Sequence, residues 1–102
     1  MSLTHQQNAR VFQAMADENR LRILELLRNG EKCACRLQAE MHIGQSTLSH
    51  HMRILCSSGI VKSRKEGKWV HYSIAPHGSK QARCLLCKLT MVQGAKEPCM
   101  AK

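Results

Sequence analysis

Leu48, Met52 and Leu55 recur at i, i+4 and i+7 and form one apolar stripe along a helix expected over residues 45–57. Off that stripe lie Gln45, Ser46, Thr47, Ser49, His50 and Arg53, short polar or hydrogen-bonding side chains with no acid among them. Such a face suits either solvent or the major groove of DNA, where base edges offer donors, acceptors and thymine methyls. Further helices precede it. Residues 5–16 carry an apolar edge of Val11, Phe12 and Met15 with no Gly or Pro to interrupt. Asp17 is a good cap for a helix over residues 18–28, whose Leu21, Ile23, Leu24 and Leu27 make a face wide enough for the centre of a core. Asn29-Gly30 ends it, Gly30 suiting the left-handed position after a helix. Residues 31–35 read as a short connector and residues 36–43 as a third, short helix with Leu37 and Met41 inward. Gly44 then breaks the chain and caps the next helix.

After Ser58-Gly59 the period changes. Residues 60–65 alternate, Glu66-Gly67 turns the chain, and residues 68–74 return with Trp69, Val70, Tyr72 and Ile74. Two β-rich runs around a Gly-containing turn predict a hairpin. Pro76 stops it, and a last helix is expected over residues 77–92. Residues 1–93 are thus expected to form one domain and residues 94–102 a frayed tail. The expected fold is mainly α with a β-hairpin wing, in the order α-α-α-α-β-β-α. A short helix joined by a tight turn to a longer one is a helix-turn-helix, and a hairpin following at once makes it winged.

Charge changes what this frame is for. The chain of 102 residues has a formal net charge of +9, very unevenly placed. Residues 1–50 hold six Lys/Arg against five Asp/Glu, and residues 51–102 hold ten against two. Lys62, Arg64, Lys65 and Lys68 crowd the hairpin. A basic half on a small domain points to a polyanion. Nucleic acid fits better than a membrane, because neither a long apolar span nor a basic amphipathic anchor with large aromatics is present. The N-terminus is polar at once (Thr4, His5, Gln6, Gln7, Asn8), so no signal peptide is read and the expected compartment is the cytoplasm. There, six cysteines are expected as thiols for metal or redox chemistry rather than as structural disulfides. Enzymatic chemistry is not expected, since the chain has no Gly-rich phosphate loop, no carboxylate pair and no Cys/His nucleophile unit. At this length a core shared with a second copy would add stability.

Four blocks in order, AMADENRLRIL at 14–24, CAC at 33–35, QSTLSHH at 45–51 and EGKWVHYSI at 66–74, resemble the ArsR/SmtB family of metal-responsive repressors, over roughly residues 8–75. The motifs are jointly specific, each alone weak. The resemblance implies a homodimer, joined through its first and last helices, that binds a palindromic operator and lets go when an inducer binds. Gln45, Ser46, Thr47, Ser49 and His50 would touch bases or nearby phosphates. Arg53, Lys62, Arg64, Lys65 and Lys68 would supply salt-dependent affinity. His50 and His51 are expected as one groove-facing and one packed residue, and His71 as a phosphate or solvent contact.

Cys33 and Cys35 occupy the place of the inducer site in the arsenic-responsive members. Residues two apart on a helix point about 200° apart and cannot share a ligand, whereas in an extended connector or a first turn they can. A helix N-terminus and the neighbouring Arg36 would both favour thiolate. Thiolates select soft ions. The resemblance favours As(III) or Sb(III) as inducer, while Zn(II) or Cd(II) would need more ligands. The chain departs from the family pattern: Gln38 stands where a third cysteine is expected and Arg36 where an acid is. Cys84 and Cys87, i and i+3 on the last helix, are candidate donors alongside Cys33 and Cys35, and together they would make four sulfurs, enough for a tetrahedral site. Cys99 is a weaker candidate. Alternatively two thiols suffice for methylarsenite, and Cys84 and Cys87 merely pack at a dimer interface. Cys56 is expected in the core. A different reading makes Cys33-x-Cys35 or Cys84-x-x-Cys87 a reversible thiol–disulfide switch on the same fold.

Overall fold

The computed structural model describes residues 4–94, with elements α1 (His5–Met15), α2 (Glu18–Leu27), β1 (Lys32–Cys33), α3 (Ala34–Met41), α4 (Gln45–Ser57), β2 (Val61–Glu66), β3 (Trp69–Ile74) and α5 (Pro76–Thr90). Beyond Gly94 the expected tail, Cys99 included, lies outside the described residues. Three of the boundaries have a clear local cause. Thr4 and Gln7 form a reciprocal capping box at the start of α1. The Asp17 carboxylate accepts from the amides of Asn19 (2.9 Å) and Arg20 (3.1 Å) and starts α2. His42 ends α3 in the left-handed conformation (φ 56°) with Ile43 N–H donating back to the Gln38 carbonyl, which tightens the turn into α4.

The core is aliphatic. Ile23 and Leu27 of α2, Leu37 and Met41 of α3, and Leu48, Met52 and Leu55 of α4 are buried together with Ala14, Ile60 and Val61. The 3.6-residue stripe of α4 therefore faces inward as expected, and its polar side is left outside.

Leu21 of α2, expected on the core-facing side, is instead 54% exposed, and two further features differ from the sequence expectation. The connector before α3 is not irregular: Lys32 and Cys33 form a strand that pairs antiparallel with β3, so the hairpin grows to a three-stranded sheet of order β1-β3-β2. The third helix also begins at Ala34, two residues early, which makes Cys33 its N-cap and puts Cys35 in its first turn. A two-residue strand is too short to show alternation, and neither Cys33 nor Ala34 is a helix-start residue that sequence rules would flag.

Where α5 leaves the hairpin, Gly78 packs on the backbone of Gly59, so closely that a Cβ there would run into the Gly59 carbonyl. Along its length α5 buries none of its residues fully and presents Leu86 and Leu89 to solvent. No helix among the described residues is long and apolar enough to cross a membrane.

Candidate thiol site and nucleic-acid interface

Because Cys33 sits in extended backbone (φ −68°, ψ 147°) and Cys35 in the following helical turn, their sulfurs converge. The Cys35 thiol donates to the Cys33 sulfur at 2.9 Å, and the two are not joined in a disulfide. That hydrogen bond holds the Cys33 thiol below its ordinary value and, by the same proton, pushes Cys35 up. Amides of the first α3 turn add to the lowering at Cys33, although none makes a well-aligned capping bond to it. Arg36, expected to favour the thiolate, instead pairs with Glu40 one turn on (3.0 Å). The pair thus has one sulfur that accepts and one that donates, with Cys35 exposed to solvent.

The remaining cysteines are elsewhere. Cys84 and Cys87 lie half-buried on α5, where Cys84 lines a groove with Asn8 and Val11 of α1. Cys56 is half-buried against the core on α4, and burial raises its thiol. Among the described residues no three His, Cys, Asp or Glu side chains are gathered in a metal-binding arrangement. Within one chain, then, Cys84 and Cys87 are not brought together with Cys33 and Cys35 as a four-sulfur set.

The strand pairing ties the thiols to the wing. Cys33 faces His71 on β3, and His71 faces Arg64 on β2, one row across all three strands. Two residues before Cys33, Glu31 spans this sheet to grip Arg64 by both oxygens, at 2.7 and 2.9 Å. Glu66 holds the same guanidinium at 3.2 Å and lies 3.7 Å from His71. The Arg64 hydrogen bond keeps the Glu31 carboxyl below its ordinary value, and the two carboxylates push Arg64 further up. Sequence reasoning placed Arg64 on a phosphate and overlooked Glu31, the lone acid of the connector.

On the other side of Gly44, Gln45, Ser46, Thr47, Ser49, His50 and Arg53 are all exposed on one side of α4. Lys62, Lys65 and Lys68 are exposed on and beside the wing, and so is Trp69, 52% accessible near its tip. One of the two histidines packs inward, as expected: His51 is buried beneath α4 against Arg20 and Asp17, whereas His50 is exposed. The Arg20 guanidinium donates to the Ala14 carbonyl (2.7 Å), the Gln13 carbonyl (3.3 Å) and His51 Nδ1 (3.2 Å). An arginine cannot accept, so Nδ1 is the acceptor and the His51 proton sits on Nε2. This knot locks the end of α1 and the start of α2 to α4, and so fixes the tilt at which the polar face is held.

Against known proteins, the profile of the bacterial regulatory protein arsR family matches residues 17–63, from the α2 cap into the wing. An uncharacterized HTH-type transcriptional regulator of Methanocaldococcus jannaschii is 44% identical over 78 residues, 76% of this chain and 88% of that protein. The arsenical resistance operon repressor of Escherichia coli is 44% identical over 68 residues, 66% of this chain but only 58% of the repressor's own length. A crystal structure of a possible transcriptional regulator for arsenical resistance superimposes with a TM-score of 0.73 at 30% identity, covering 81% of this chain and 86% of that one.

Proposed function

Since the chain belongs to the ArsR family of DNA-binding transcriptional regulators, we propose that it is a homodimeric repressor that releases its operator when a thiophilic inducer bridges Cys33 and Cys35. The observation that carries this reading is the convergence of the two sulfurs, 2.9 Å apart, at the junction of β1 and α3. A ligand that draws on this junction loads both α3, which leads directly into α4, and β1, which is hydrogen-bonded to the wing strand β3. Both DNA-contacting elements thus answer to one site. A coupling of ordinary size, roughly 5- to 150-fold in operator affinity, is enough for a switch.

In this reading Gln45, Ser46, Thr47, Ser49 and His50 read base edges, and Arg53, Lys62, Lys65 and Lys68 neutralise phosphates. The dimer joins through α1 and α5, supported by the exposed Leu86 and Leu89, and sets the two α4 helices about 34 Å apart, one turn of DNA. Two thiolates select soft, trivalent arsenic or antimony over harder ions. They match methylarsenite best, which needs only two sulfurs. Cys84 and Cys87 enter only as donors added on dimerisation, and Zn(II) or Cd(II) would depend on them.

The deciding experiment is operator release titrated with arsenite, methylarsenite, antimonite, zinc and cadmium. Release by the arsenicals and antimonite at lower concentration than by zinc or cadmium supports the two-thiol site. The close, unequal thiols also suit a thiol–disulfide couple. Release by peroxide but by none of the five would replace the inducer reading with that one.

A further inference from the structure

Arg64 lies in register with Cys33 across β3, and it is already engaged. Glu31 holds it by both carboxylate oxygens and Glu66 by one more. This is a planar fork on a carboxylate, the geometry by which arginine also takes a phosphate. The same donors cannot serve Glu31 and a DNA phosphate at once. Glu31 belongs to neither the helix-turn-helix nor the hairpin. It lies on the segment leading into β1, two residues before Cys33, and reaches Arg64 across β3. The side chain of Glu31 is 36% exposed and that of Arg64 50%, so the pair stands at the surface, where phosphates can compete for it.

We infer that Glu31 is a positioning residue for DNA binding: it withholds Arg64 from the phosphate backbone, and Arg64 leaves it for a phosphate when the wing docks. Glu31 thereby sets operator affinity from the segment that carries Cys33. Movement of that segment changes how firmly Arg64 is withheld, which gives the thiol site a route to the wing separate from its route through α3. The inference rests on the DNA-binding reading above and adds the residue that tunes it.

Phosphate contacts carry no sequence information, so a generic duplex of about 30 base pairs at low salt is a sufficient probe. Binding is measured by fluorescence anisotropy across a salt series for the wild type, Glu31→Gln, Arg64→Gln and the double variant. Thermal unfolding of each shows that it folds. Glu31→Gln is expected to bind roughly 2- to 30-fold tighter, both subunits together. Its log–log salt slope should stay close to that of the wild type, because Arg64 reaches the same phosphate in both complexes and only the cost of leaving Glu31 is removed. Arg64→Gln is expected to bind more weakly with a shallower slope, and adding Glu31→Gln to it should change nothing further. Binding by Glu31→Gln indistinguishable from wild type overturns the inference. So does an effect that persists undiminished in the Arg64→Gln background, because Glu31 would then act only as a negative charge near DNA. Neither result touches the DNA-binding reading, which falls only if the wild type binds no duplex at all.

Discussion

Cys33 stands directly opposite His71 in the β1–β3 ladder, so the thiol pair and the wing belong to one sheet although 38 positions separate them in sequence. A strand of two residues achieves this. Its backbone pairing places Cys33, His71 and Arg64 in a row, and Glu31 closes the row from the side. Cys33 is therefore one strand removed from β2, which carries Lys62, Arg64 and Lys65, and α3 leads from Cys35 into α4.

The proposed division of labour between α4 and the wing makes Lys65 and Gln45 behave differently when removed. Lys65→Ala should weaken operator and generic duplex alike and lower the salt slope by about 0.9 in each subunit, because one phosphate there is no longer neutralised. Gln45→Ala should cost about 1–3 kcal/mol on the operator, spare generic DNA and leave the slope unchanged. Anisotropy titrations on both duplexes at several salt concentrations distinguish the two patterns.

Gly78 should resist the substitution that helices ordinarily welcome. Alanine in place of a helical glycine usually stabilises by roughly 0.5–1 kcal/mol. Here the added Cβ meets the Gly59 carbonyl, so α5 must swing outward. Gly78→Ala is expected to lower the unfolding temperature and weaken self-association, measured by calorimetry and sedimentation. An increase in stability would mean that α5 is free of the Gly59 turn.

Asp17 gives the fold a defined acid sensitivity. The Arg20 backbone amide first, then the charge of Arg20 and the Asn19 amide, hold its carboxyl below the ordinary value. The folded state thus prefers the ionised form. That contribution is complete above the unfolded carboxyl's value, about 3.9, and is lost as pH falls through the lower folded value. Asp17→Asn should unfold at a lower temperature than wild type at neutral pH, and the gap should close below about pH 4. A gap that stays constant down to pH 2 would show that the charge of Asp17 contributes nothing.

The helix-turn-helix was legible because its signals are long or strongly local. Three apolar turns mark α4, Gly44 and Ser58-Gly59 bound it, and Asp17 announces α2. The exposed polar face of α4 and the buried position of His51 follow from the same stripe. What escaped were features that exist only across strands. Lys32 and Cys33 have no period of their own, and they are a strand because Tyr72 and His71 lie beside them. Glu31 has no reading from sequence beyond its place in the connector, since its partner is 33 residues away. The thiol pair was legible as a pair, but its asymmetry depends on which sulfur donates, and on α3 starting two residues earlier than its composition suggests. On α5, spacing alone showed that Cys84 and Cys87 share a face. It did not show that they stay apart from Cys33 and Cys35 within a chain.

A ligand on Cys33 and Cys35 is proposed to loosen the grip on DNA. This is tested most directly by measuring operator affinity of the Cys33→Ser/Cys35→Ser variant with and without arsenite. The variant is expected to hold wild-type affinity in both conditions, whereas the wild type releases. Release of the variant at the same arsenite concentration as the wild type would contradict this and move the sensor to another part of the molecule.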